Sequence, residues 1–327
     1  MALCAERSDG MEVYMNRYPF CLFRIPENGG RVLWEITNTC NYHCSYCIFS
    51  SESKKYDNEL NTEEVIRAIK DLKENNFTYI KFTGGEPFTR KDMPQILEYA
   101  SELGFDMDIS TNGSLITEQI AKELKEMNFP MVHISLDGHD KETHEYVRGK
   151  DTFEKTLRGI KFLTQNNVYT RIGTVIYIKN ENKLEEIVKL AIDLNTDEII
   201  FSFMEAVGRL GEDETIISKR KIEDVKQEIE ELAVKYKDRI KVKYSFTENT
   251  VTKTNECCPA VSKFLYINNL GQVSPCTWVI SKEPKYQSKL TLKNSTFKEI
   301  IESEPIQEYL QFIKENNIAG CPVSRRK

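Results

Sequence analysis

Arg31-Val32-Leu33-Trp34-Glu35-Ile36-Thr37 is followed, after Asn38 and Thr39, by Cys40-Asn41-Tyr42-His43-Cys44-Ser45-Tyr46-Cys47. The first run is rich in aliphatic and aromatic residues and reads as a strand. The second places three thiols within eight residues, just beyond that strand. Thiolates at this density are ligands of an iron–sulfur cluster or of zinc. A four-iron cubane held by three cysteines leaves one iron open to a ligand that is not protein. Zinc needs a fourth ligand, and His43 is the local candidate. Both readings stand on the spacing alone.

The chain has 327 residues, 40% hydrophobic and 29% charged, with a formal net charge of −6. That suits two domains, or one large α/β domain with an appendage. The acidic balance, without any Lys/Arg block, argues against a nucleic-acid surface. No apolar run approaches the ~18 residues that a membrane span needs. Residues 1–17 mix charge throughout and lack the apolar core of a signal peptide. A cytoplasmic location is therefore expected, where nine cysteines point to metal ligation over disulfides. Cys4 and Cys21 stand alone and read as unligated thiols.

Beyond the first strand the hydrophobic period alternates between 2 and 3.6. Strands are predicted at 31–37, 78–83, 106–110, 131–136, 171–178 and 198–203. Helices are predicted at 61–75, 92–103, 118–127, 152–166, 182–194 and near 217–237. Asn61 with Glu64, and Asp151 with Glu154, have capping-box spacing; Asp92 and Thr117 read as simple caps. Six βα repeats predict an α/β fold, a parallel sheet wrapped by helices as an open, partial (β/α)6 TIM-like barrel. Residues 1–30 form an N-terminal extension and 31–240 the barrel. After a short strand at 240–245 the alternation breaks, and 245–327 reads as a small second domain of a β-hairpin plus helices. In such barrels ligands gather where strands end.

Gly84-Gly85-Glu86-Pro87 falls directly after the second strand, where paired glycines allow a close backbone approach. The C-x3-C-x2-C spacing, Tyr46 before the third cysteine, and GGEP behind the next strand together resemble the radical S-adenosylmethionine (SAM) superfamily. The resemblance implies a [4Fe–4S] cluster on Cys40, Cys44 and Cys47, its open iron chelating SAM. Reductive cleavage of SAM then gives a 5′-deoxyadenosyl radical that takes hydrogen from a substrate C–H bond. Gly84, Gly85, Glu86 and Pro87 would hold the SAM amino group. Asn112, Ser135 and Asp137 would contact ribose and carboxylate, in sequences that otherwise read as turns. Arg148 would hold the carboxylate or lie on the surface. Val175 would line the adenine, with Tyr46 packed on the same base, or sit in an ordinary buried strand. Glu205 and Arg209, after strand six, are candidate substrate or SAM contacts. His133 reads as a core histidine, and His139 and His144 as exposed loop residues.

Near the C-terminus, Cys257-Cys258 is followed by Tyr266-Ile267, Gly271, Val273 and Pro275-Cys276, then by a distant Cys321. This resembles the SPASM domain, and with only four cysteines its shortened Twitch form, which binds a second [4Fe–4S] cluster. Cys258, Cys276 and Cys321 are the implied ligands. Cys257 is a fourth ligand or a free thiol that donates hydrogen to a product radical, and zinc is the rival metal. The resemblance implies a C–H-activating oxidoreductase or rearranging enzyme acting on a peptide or a polar small molecule, including a cofactor precursor or carbohydrate. It also implies a flavodoxin- or ferredoxin-type electron donor. Residues 1–30 are too short for a leader-binding domain, so a separate leader-peptide-binding protein is the expected partner of a peptide substrate. No cobalamin-type domain is expected ahead of the barrel, so methylation through that cofactor is not expected. A non-catalytic iron–sulfur or zinc scaffold is the alternative from another class.

Overall fold

The computed structural model describes residues 29–245, 260–261 and 263–315. Strand β1 (Gly30–Thr37) is buried along its whole length. Val32, Trp34 and Ile36 enter the main core, where the Trp34 ring stacks 6.3 Å from Phe82 of β2 (Phe77–Gly84). The alternate residues Arg31, Leu33 and Glu35 face the other way, as the twofold period of a strand requires.

The remaining barrel strands are β3 (Asp106–Thr111), β4 (Val132–Ser135), β5 (Thr170–Ile176), β6 (Glu198–Phe203) and β7 (Lys241–Tyr244). Each pairs in parallel with its predecessor. The connecting helices are α1 (Thr62–Glu74), α2 (Met93–Glu102), α3 (Glu118–Glu126), α4 (Lys141–Arg148), α5 (Phe153–Gln165), α6 (Leu184–Asp193) and α7 (Ile222–Lys235). Asn61 and Glu64 close the expected capping box on α1, and Thr117 caps α3. The sheet runs β7-β6-β5-β4-β3-β2-β1-β8-β9 without closing, an open parallel-dominated α/β fold.

Four expectations need correction. Asp92 stands at the N-cap of α2 but makes no side-chain cap bond. Asp151 does not cap α5: it sits at φ +59°, and the cap position falls to Thr152, which makes no side-chain cap bond. Residues 139–148 are not all loop, because Asp140 caps α4 and that helix buries His144 completely. The final barrel helix starts at Ile222, not near 217.

The C-terminal hairpin does not stand apart from the barrel. Strand β8 (Phe264–Ile267) pairs in parallel with β1 and antiparallel with β9 (Val273–Ser274), which extends the same sheet. Leu33, Phe264 and Tyr266 pack together on the face opposite the main core, with Phe49 and Cys276 against them. Helices α8 (Thr277–Lys282), α9 (Phe297–Ile301) and α10 (Glu304–Glu315) complete the described chain. Among the described residues no helix is long and apolar enough to cross a membrane.

Candidate active site

The cysteine loop leaves the C-terminal end of β1 and packs on the turn that ends β2. Gly84 stands at φ +134°, and a Cβ there would lie 2.2 Å from the Thr37 carbonyl oxygen. A Cβ on Gly85 would lie 2.1 Å from the Thr39 oxygen. The Gly85 N–H donates to Thr37 at 2.7 Å and the Glu86 N–H to Thr39 at 2.8 Å. The glycines thus let the turn abut the loop that leads into Cys40, a contact no side chain would permit.

Cys40 is buried; Cys44 and Cys47 are partly exposed, and none of the three is in a disulfide. Burial pushes the Cys40 thiol up to about 12 and raises that of Cys44. Burial thus favours the protonated form of the Cys40 and Cys44 thiols, and binding a metal there would release protons. Among the described residues no three His, Cys, Asp or Glu side chains converge as ligands of one ion. Ligands of a cubane sit on separate irons and have no need to converge.

Glu86 is fully buried and ties two strand ends together. Its Oε1 accepts from the Thr111 hydroxyl at 2.7 Å and the Phe88 N–H at 3.1 Å, while Oε2 accepts from the Asn112 N–H at 2.7 Å. Burial still raises its carboxyl to about 7. Asn112 donates in turn to Asn41 Oδ1 at 2.9 Å, and Asn41 donates to the Ser114 hydroxyl at 2.8 Å. Asn41 and Ser114 were missed by the sequence analysis; their only signal was position, one inside the cysteine loop and one just after β3.

Asp137 follows β4 and is completely buried. One carboxylate oxygen accepts from the Val175 N–H at 2.9 Å. The other accepts from the Tyr46 hydroxyl at 2.5 Å and from Arg148 Nε at 2.6 Å. Arg148 also donates to the Tyr46 hydroxyl and is buried, so the surface alternative is set aside. The paired carboxylate and phenol hold the Arg148 guanidinium above even its ordinary range, although burial opposes this. His144 accepts from the Asp137 N–H at 3.3 Å, and burial lowers it to about 4.

Ser135 lies at the end of β4 beside Gly173 of β5. Gly173 leaves room for a neighbouring side chain, since a Cβ there would lie 2.0 Å from His133 Nε2. Arg209 reaches the cysteine loop: Nη1 donates to the Cys44 carbonyl at 2.6 Å, and Nη2 donates to that of Ser51. Glu205 is exposed at the end of β6. Cys276 caps α8 and accepts from the Val279 N–H at 3.3 Å. Cys4, Cys21, Cys257, Cys258 and Cys321 lie outside the described residues.

Residues 34–191 match the family model described as the radical SAM superfamily. The chain is 36% identical over 179 residues to Fe-coproporphyrin III synthase of Methanosarcina barkeri, covering 54% of this chain and 45% of that protein. It is 25% identical over 249 residues to PqqA peptide cyclase of Bradyrhizobium diazoefficiens, covering 75% of this chain and 66% of that protein. The crystal structure of Streptococcus suis SuiB bound to S-adenosylmethionine superposes with a TM-score of 0.72 at 15% identity, covering 86% of this chain and 68% of that one. SuiB has also been solved with its precursor peptide SuiA, at a TM-score of 0.71 and 16% identity. At such identities the structural likeness speaks for the fold. Three thiols after the first strand, a glycine pair after the second and the family model converge on one statement: residues 34–191 match a radical SAM superfamily domain.

Proposed function

We propose that the chain is an enzyme that reductively cleaves SAM and uses the resulting radical to take a hydrogen atom from its substrate. The observation that carries this reading is the contact between the loop bearing Cys40, Cys44 and Cys47 and the turn at Gly84-Gly85. The donor set suits a cubane: three unbridged thiols, with His43, the fourth ligand a zinc site would require, exposed. When bound, the cluster and SAM supply one-electron cleavage of the sulfonium and a 5′-deoxyadenosyl radical.

The protein's own part is placement. Glu86 locks the β2 turn against the β3 turn, so Gly84–Pro87 presents a fixed backbone edge beside the thiols. Asp137 holds Arg148 and Tyr46 in one orientation, leaving Arg148 beside Cys44 to receive the SAM carboxylate. Asn112 and Ser135 stand at neighbouring strand ends for the ribose, and Val175 lines the adenine side. Glu205, exposed at the mouth, is assigned to the substrate.

A second [4Fe–4S] cluster is assigned to Cys258, Cys276 and Cys321, with Cys257 as its fourth ligand or as a hydrogen donor. It accepts the electron left on the product or anchors the substrate. The substrate is assigned as a peptide, in keeping with the likeness to PqqA peptide cyclase and to SuiB. A cofactor precursor is the second reading, favoured by the higher identity to Fe-coproporphyrin III synthase.

The test is direct. Anaerobically reconstituted protein, given dithionite and SAM, releases 5′-deoxyadenosine on this reading. A colourless protein that holds four-coordinate zinc and releases none would end it.

A further inference from the structure

We propose that Arg209 is a positioning residue that clamps the cysteine loop and sets a positive charge against it. The inference rests on reading Cys40, Cys44 and Cys47 as cluster ligands.

Gly208–Leu210 form a single 3-10 turn soon after β6. From it the Arg209 backbone N–H donates to the Cys47 carbonyl at 2.9 Å. Its Nη1 donates to the Cys44 carbonyl at 2.6 Å, and Nη2 to the Ser51 carbonyl. One residue thus takes three acceptors spread from Cys44 to Ser51, two of them the carbonyls of thiol-bearing residues. Gly208 makes this proximity possible. It stands at φ +61°, and a Cβ there would lie 2.4 Å from the Cys47 oxygen and 2.5 Å from that of Ile48. The loop is tied at another point by the Ser45 N–H, which donates to Val147 of α4 at 2.8 Å. A planar guanidinium reaches two separated carbonyls at fixed geometry, which a lysine ammonium cannot.

The charge is the second observation. Arg148, the other guanidinium near Cys44, is ion-paired with Asp137 at 2.6 Å. Arg209 gives its side-chain hydrogen bonds to carbonyls, and the one carboxylate shown to feel its charge, the exposed Glu52, forms its ion pair with Lys54 instead. A half-buried cation whose hydrogen bonds go to neutral acceptors gives up hydration without an ion-paired counter-charge. Three thiolates around a cubane supply that counter-charge, because they leave the cluster net negative. A fixed cation favours the more negative, reduced state, so Arg209 raises the potential at which the cluster accepts its electron.

Two variants separate clamp from charge. Arg209→Lys keeps the charge and loses the fork; Arg209→Gln loses the charge as well. Hydrogen exchange of the apo chain reads the clamp. Both variants are expected to speed exchange of the Cys44–Ser51 amides about tenfold, with the rest of the barrel unchanged. An EPR-monitored redox titration of the reconstituted protein reads the charge. Arg209→Gln lowers the midpoint potential, and Arg209→Lys stays near wild type. Unchanged loop exchange in both variants overturns the clamp, and a wild-type potential in Arg209→Gln overturns the charge. Wild-type protein that binds no iron defeats the proposed function and the charge role together, while apo exchange still decides the clamp.

Discussion

Glu86 Oε2 accepts the backbone N–H of Asn112 at 2.7 Å, and this bond ties the turn after β2 to the turn after β3. Its other oxygen takes the Thr111 hydroxyl and the Phe88 N–H, so three donors depend on one fully buried carboxyl. Glu86→Ala strands all three. A loss of about 3 kcal/mol is expected, since each unsatisfied buried group costs about 1–3 kcal/mol and the neighbours relax in part. Glu86→Gln is expected to lose about half as much, because its amide nitrogen cannot accept from Asn112. Urea denaturation of the apo chain measures both.

Stability should fall with rising pH through a second carboxyl, Glu35. It lies on the face of β1 opposite the main core, 5% exposed, and accepts the Tyr266 hydroxyl from β8. Burial raises it from 4.5 to about 8, with Glu59 adding to the shift and the Tyr266 bond opposing it. The folded chain therefore holds this proton more tightly than the unfolded chain. The stabilisation is complete below about pH 4.5 and is lost as pH climbs to about 8. Glu35→Gln still accepts from Tyr266 but cannot ionise. Its melting temperature should gain on wild type between pH 5 and pH 9, and a constant difference across that range would refute the assignment.

Most elements of the barrel were legible because each carries a local signal. β1 to β6 show strand periodicity, and α1 and α3 announce themselves through Asn61 and Thr117. Helix α4 was not legible: its eight residues are mostly polar, and of the four it buries, Thr143, His144, Val147 and Arg148, one alone is apolar. The pairing of β8 with β1 has no local signal at all, because Leu33 meets Tyr266 across more than two hundred residues. The site divides the same way. The cysteine and glycine motifs stand out by type and spacing, whereas the attachment of Arg209 to the Cys44 carbonyl depends on where β6 lies in the sheet. Sequence reading offered Arg209 as a candidate contact to substrate or SAM, and carried no signal of this attachment.

Gly85→Ala is expected to cost the protein its iron while sparing its fold. The added Cβ would meet the Thr39 oxygen at 2.1 Å and the Asn38 carbonyl carbon at 2.9 Å, both backbone atoms that cannot rotate away. The cheapest relief is for residues 38–40 to move off the β2 turn, which displaces Cys40. Reconstituted Gly85→Ala should hold less than half the iron of wild type at residues 40–47, with its far-ultraviolet circular dichroism retained. Gly211→Ala is the control for substituting a glycine away from this contact, since its Cβ meets nothing within 4 Å.

The two cysteine sites should separate in activity when their thiols are removed. Cys40 is buried at the loop entrance, and its Sγ accepts the Tyr42 N–H at 3.4 Å. Cys276 lies beside β8 and β9, packed with Leu33, Phe264 and Tyr266. Cys40→Ala is expected to abolish 5′-deoxyadenosine release. Cys276→Ala should keep release within a few-fold of wild type, lose substrate turnover, and drop iron from about eight to about four per chain. Cys276 also caps α8 through its Sγ, so a lost cap is the competing explanation of any defect. Cys276→Ser addresses it, because serine is a good N-cap and a poor iron ligand. Turnover restored by serine assigns Cys276 to structure alone. Turnover lost in both variants, with SAM cleavage intact, places its sulfur on the path of the substrate electron.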